Sequence, residues 1–127
     1  MYIYSFEKLE VWQLSRKLVK EVYSLTEKFP TEEKFSLINQ MRRASISVSS
    51  NIAEGSSRSS LKDQIHFLEI AYGSLMELYT QVYISMDLAY IDEKQQQDIG
   101  LLIKEITNKL NALQKTYKTK LQTQITK

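Results

Sequence analysis

The chain has 127 residues, 43% of them hydrophobic and 25% charged, a balance that supports one domain with a real core and is short for two. Only three glycines and one proline punctuate it, too few for the tight turns of an all-β domain, and the lack of cysteine excludes disulfides and thiolate metal sites. The net charge of +2 is segregated: residues 1–33 carry −1, residues 34–62 carry +4, residues 63–103 carry −6 and residues 104–127 carry +5, a pattern that can build a polyanion-binding face on a nearly neutral protein.

A first helix is expected over about residues 6–29, with Ser5 as N-cap and Pro30 as its stop. Val11, Leu14, Leu18, Val22, Leu25 and Phe29 line its core face, with Trp12, Val19 and Tyr23 on the flank. Thr31 then offers a cap for a second helix, about 32–55. Its centre is the stretch MRRASISVSSNIAEGSSRSS, residues 41–60, in which eight of twenty residues are serine. As a strand, Ile46 and Val48 would alternate with serines. As a helix, Phe35, Ile38, Met41, Ser45, Val48 and Ile52 recur at 3, 3, 4, 3, 4. A lone strand among helices leaves its backbone groups without partners, so the helix is preferred, with Gly55 as its C′ stop.

The strongest periodicity follows. Leu61, Ile65, Leu68, Tyr72, Leu75, Tyr79, Val82, Met86 and Ala89 alternate spacings of 4 and 3, a bundle seam over 61–89 opened by the capping pair Ser60 and Asp63. Asp92 and Gln95 repeat that cap before a fourth helix, about 93–117, with Ile99, Ile103, Ile106, Leu110, Leu113 and Tyr117 inward. Residues 118–127 are polar and threonine-rich and are expected to form a flexible tail. Four such helices with short connections make an all-α, antiparallel up-down-up-down four-helix bundle.

Catalytic machinery is thin, and the expectation is no enzyme, no cofactor and no metal. The single histidine, His66, sits between Asp63 and Glu69, half of a carboxylate-bridged metal pattern without the second histidine a full site needs. The better candidates are the cations Arg42, Arg43, Arg58 and Lys62, with Lys34 and the C-terminal lysines as auxiliaries, interleaved with serines able to bond phosphate. Against this stands a merely solvated face, with Glu54 and Arg58 paired at i, i+4. A second stripe on the third helix, Phe67, Ala71, Ser74 and Leu78, together with eight tyrosines, suggests an oligomer interface. No apolar run reaches the ~20 residues that span a bilayer. The opening MYIYSFEKLE lacks the apolar region of a signal peptide, so a cytoplasmic protein with no membrane partner is expected.

The phrases FEKLEVWQLSRKL, QMRRASISVSSNIAEGSSR and FLEIAYGSLMEL, in this order over roughly residues 6–117, resemble the bacterial 23S rRNA intervening-sequence proteins. That family is in turn similar to the nucleic-acid-binding accessory protein of diversity-generating retroelements. The resemblance implies a four-helix bundle assembled as a homopentamer, no established catalytic residue, and a motif that here comprises Arg42, Arg43, Asn51, Glu54, Gly55 and Arg58. Where the family pattern often has proline before SNIAEG, this chain has Ser49. Asn51 and Glu54 are expected to organise the end of the second helix, with Asn51 and Ser50 as polar contacts inside the bundle or its interface. The expected function is a non-enzymatic homo-oligomer binding RNA or DNA through a basic surface. The alternative is a protein-interaction scaffold with no nucleic-acid ligand.

Overall fold

The computed structural model describes residues 1–126, which form α1 (Glu10–Thr26), α2 (Leu37–Ser57), α3 (Leu61–Asp87) and α4 (Glu93–Thr126). Cross-helix contacts give the directions. Ser15 Oγ lies 2.7 Å from Ser49 Oγ while Arg42 Nε donates to Thr26 Oγ1 at 3.0 Å, so α1 and α2 are antiparallel. Ser47 Oγ lies 2.8 Å from Ser74 Oγ, and Gly55 packs on Phe67, which turns α3 back along α2. Lys109 of α4 pairs with Glu10 of α1 at 3.2 Å, and Tyr90, ahead of α4, meets Phe29 beyond the end of α1. This is the expected up-down-up-down bundle. Its core gathers Leu18, Val22, Met41, Val48, Ile52, Leu68, Leu75, Val82, Ile106 and Leu110 from all four helices.

The helix ends differ from the sequence expectation for local reasons. Ser5 does not cap α1. Residues Ser5–Lys8 form a separate 3-10 turn, in which the Glu7 carboxylate accepts from Tyr4 N at 2.7 Å, and extended Leu9 precedes α1. α1 stops at Thr26 rather than Phe29, because Pro30 disfavours helical geometry just before it. Thr31–Glu33 make another 3-10 turn, so α2 opens after Ser36 and not at Thr31. That turn puts Phe35 out of register with the helix stripe, and instead of joining the core it is 87% exposed. Gly55 is no C′ stop, for α2 runs through it to Ser57. Its role is close approach: a Cβ there would lie 3.1 Å from Phe67 Cβ and 3.2 Å from Gln64 O of α3.

Two caps behave as read. Ser60 Oγ accepts from Asp63 N at 3.1 Å. Asp92 Oδ1 accepts from Gln95 N at 2.8 Å while Gln95 Oε1 accepts from Asp92 N at 2.9 Å, a reciprocal box. Ala89 leaves the α3 stripe altogether. With φ at 63° it closes a Schellman turn, Tyr90 N donating to Ser85 O and Ala89 N to Met86 O. α4 also outruns its expected end at residue 117, remaining helical to Thr126, where no glycine or proline interrupts and Thr123 bonds back to the Thr119 carbonyl. Lys127 lies outside the described residues. Beyond Gln114 no α4 side chain is buried, and these 12 residues continue about 18 Å along the helix axis.

Candidate nucleic-acid interface

The five cations singled out in the sequence do not converge. Arg42 and Arg43 lie in the first half of α2, with Lys34 in the turn before it, whereas Arg58 and Lys62 flank the α2–α3 connection. Sixteen residues of helix, about 24 Å, separate Arg42 from Arg58.

Nor are they equally free. Arg42 is half-buried. Its Nε bonds the buried hydroxyl of Thr26, and its guanidinium lies 4.4 Å over the Tyr23 ring. It therefore sits at the carbonyl end of α1, where a cation complements the helix dipole. Arg58 ion-pairs with Glu54 at 2.6 Å and covers the Phe67 ring at 4.6 Å. Lys34 lies 5.5 Å over the Phe35 ring. Arg43 and Lys62 are exposed, and among the described residues neither makes a side-chain hydrogen bond or ion pair.

Arg43 lines an open groove between α2 and α3, about 330 Å³, with Asn39, Gln40, Ser47, Ser74 and Glu77. Sequence reasoning missed Asn39 and Gln40, although their i−4 and i−3 spacing from Arg43 is the signal that puts all three on one helix face. Asn51 donates back to the Ser47 carbonyl at 2.8 Å and to its hydroxyl at 3.0 Å, so it organises the middle of α2 and not its end. Ser50 is exposed and makes no contact inside the bundle. His66 is exposed, its ring edge-on to Phe67, and no group of three or more metal-ligating side chains converges among the described residues.

The stripe expected at an oligomer interface is corrected by burial. Ala71 and Leu78 are fully enclosed within one chain, Ser74 bonds Ser47, and Phe67 lies under Arg58 against Gly55. The serine-rich face of α2 lets α3 come close enough to cover them. Exposed apolar surface lies elsewhere: Ile84 on α3 and Leu88 just after it, and Tyr83 and Leu101, which line a groove of about 630 Å³ with Tyr79, Met86 and Glu93. Tyr79 and Tyr83 hydroxyls are 3.4 Å apart, and that contact pushes the Tyr79 phenol up.

The model of the 23S rRNA-intervening sequence protein family matches residues 7–112. The chain belongs to this family. It is similar to a crystal structure from Bacteroides thetaiotaomicron VPI-5482, a protein of unknown function from the S23 ribosomal protein family. The two share 25% identity with a TM-score of 0.77 over 83% of this chain and 95% of that one. Comparison with curated proteins gives no match. In this intervening-sequence family member the recognisable motif mainly holds α2 in place: Arg42 grips α1, Gly55 admits α3, and Asn51, Glu54 and Arg58 tie α2 to itself. Of the motif's charged residues Arg42, Arg43, Glu54 and Arg58, Arg43 is the one that lines an open groove, which it shares with Glu77.

Proposed function

We propose that the protein is a non-catalytic bundle that binds RNA or DNA through phosphate contacts, chiefly at one end. The observation that carries this reading is the run of α4 beyond Gln114: residues 115–126 hold Lys115, Lys118 and Lys120 and no acidic residue. Antiparallel packing brings this run to the end that also bears Arg58 and Lys62, while Arg43 provides a contact along the side. The opposite end carries Glu27, Glu32, Glu33, Asp87, Asp92 and Glu93 against Lys28, Lys34 and Lys94, an acidic excess that disfavours a polyanion.

The test is titration of a labelled RNA and DNA across a salt series. Log affinity falls linearly with log salt, and replacing Lys115, Lys118 and Lys120 by Glu flattens the slope by about 2–3. An affinity insensitive to salt, or unchanged in that variant, overturns the reading.

A second reading, self-association, is favoured by the apolar groove between α3 and α4, whose rim residue Leu101 is 68% exposed. A second copy seated there would repeat the basic end and multiply its reach by avidity. Light scattering on the protein and on Leu101→Glu checks it, a monomeric mass for both counting against it.

A further inference from the structure

A strip of aromatic and cationic side chains runs along the outside of α1, separate from the α4 lysines. Tyr2 and Tyr4 meet edge to face with ring centroids 4.8 Å apart, Tyr4 lies 5.9 Å from Phe6, and Phe6 stacks on Trp12 at 5.0 Å. The Arg16 guanidinium follows, 5.1 Å from the Trp12 centroid. Trp12, Arg16, Lys20 and Tyr23, spaced 4, 4 and 3, then share one stripe of α1, and Arg42 reaches across from α2 to cover Tyr23.

Three features of this strip point to a ligand. Tyr2 and Tyr4 are 77% and 59% exposed, and Arg16, Lys20 and Tyr23 are exposed as well, while half-buried Phe6 and Trp12 anchor the strip, Trp12 against the core. Among the described residues its cations make no ion pair: Glu7 accepts from Tyr4 N, Glu10 pairs with Lys109, and none forms on Arg16, Lys20 or Arg42. The strip also begins at the end of the bundle where α1 starts and α4 runs on with its lysines. Aromatic faces interleaved with cations suit one polyanion above others, a nucleic-acid strand whose bases are unpaired, because bases in a duplex have no free face to stack.

We propose that this strip is a stacking platform for single-stranded nucleic acid. Unpaired bases lie on the exposed rings of Tyr2, Tyr4 and Tyr23, Arg16 and Lys20 face the phosphates between them, and Arg42 positions the Tyr23 ring. The inference rests on the nucleic-acid reading above and adds the class of strand and the residues that select it.

The experiment compares the whole protein with a Tyr2→Ala/Tyr4→Ala variant, using a labelled single strand of about 16 nucleotides and the duplex of the same sequence. Both tyrosines lie outside the helices, so unchanged thermal unfolding verifies that the variant is folded. The protein is expected to prefer the single strand about tenfold or more. The variant is expected to lose about 10- to 100-fold in single-strand affinity, with duplex affinity and salt slope unchanged. Emission from Trp12, the single tryptophan, should change on binding the strand and not the duplex. Equal affinity for strand and duplex, with the variant unaltered, overturns the platform while leaving the basic end as the binding surface. Binding of neither overturns both readings. A fall in assembled mass in the variant would assign the strip to a contact with a second copy and likewise overturn the platform.

Discussion

Tyr90 Oη donates to Glu33 Oε2 at 2.9 Å, tying the turn before α2 to the turn before α4 across the acidic end of the bundle. Hydrogen bonds from Ser36 and Tyr90 hold the Glu33 carboxyl below its ordinary range, and the same bond pushes the Tyr90 phenol up. A depressed carboxylate contributes stability that is present above its unfolded pKa and lost as pH falls through the folded one. Tyr90→Phe is therefore expected to be less stable than the parent at neutral pH, with the gap closing in acid below about pH 4. Urea midpoints measured across pH for both proteins check this, and a gap that persists in acid would contradict it.

The two helical glycines of α2 and α3 should respond in opposite directions. A Cβ at Gly73 meets nothing within 4 Å, so Gly73→Ala should stabilise by about 0.5–1 kcal/mol through helix propensity. Gly55 lies against the Phe67 Cβ and the Gln64 backbone carbonyl, neither of which has a flexible end to swing aside. Gly55→Val should cost about 1–3 kcal/mol by forcing α2 and α3 apart. Denaturant unfolding of the two variants gives both signs.

Ala89 occupies a left-handed position that favours glycine, with φ at 63°. Replacing it by Gly removes a Cβ clash of about 1 kcal/mol while keeping the Schellman bonds. An Ala89→Gly protein should unfold at higher denaturant, and an unchanged or lower midpoint would contradict a strained left-handed alanine at this position.

The adjacent arginines should separate by function. Arg42→Ala strips a partner from buried Thr26 and a cation from the end of α1, and should lose about 1 kcal/mol. Arg43 is exposed, so Arg43→Ala should stay within about 0.5 kcal/mol of the parent while weakening nucleic-acid binding. Unfolding midpoints and polyanion titrations on both variants test the contrast.

What the sequence by itself determined was the number and order of the helices and most of their inward positions, Phe35 and Tyr72 being exceptions that the structure leaves exposed. Apolar residues at 3 and 4 spacing define a helix face wherever they occur, and Ser60 with Asp63 or Asp92 with Gln95 mark a helix start through contacts only three residues apart. The tertiary structure decided which neighbour covers each face. Ala71 and Leu78 looked available to a second copy because nothing local reveals how near the slim serine face of α2 allows α3 to come. Arg42 and Arg58 looked as free as Arg43 and Lys62 in one basic cluster because Thr26 and Phe67, which engage them, are 16 and 9 residues away along the chain. The strip from Tyr2 to Arg42 was visible only as a flank, Trp12 and Tyr23, until folding set Phe6 on one of those rings and Arg42 over the other. Periodicity records local geometry, whereas pairing between faces depends on the shape of the partner helix.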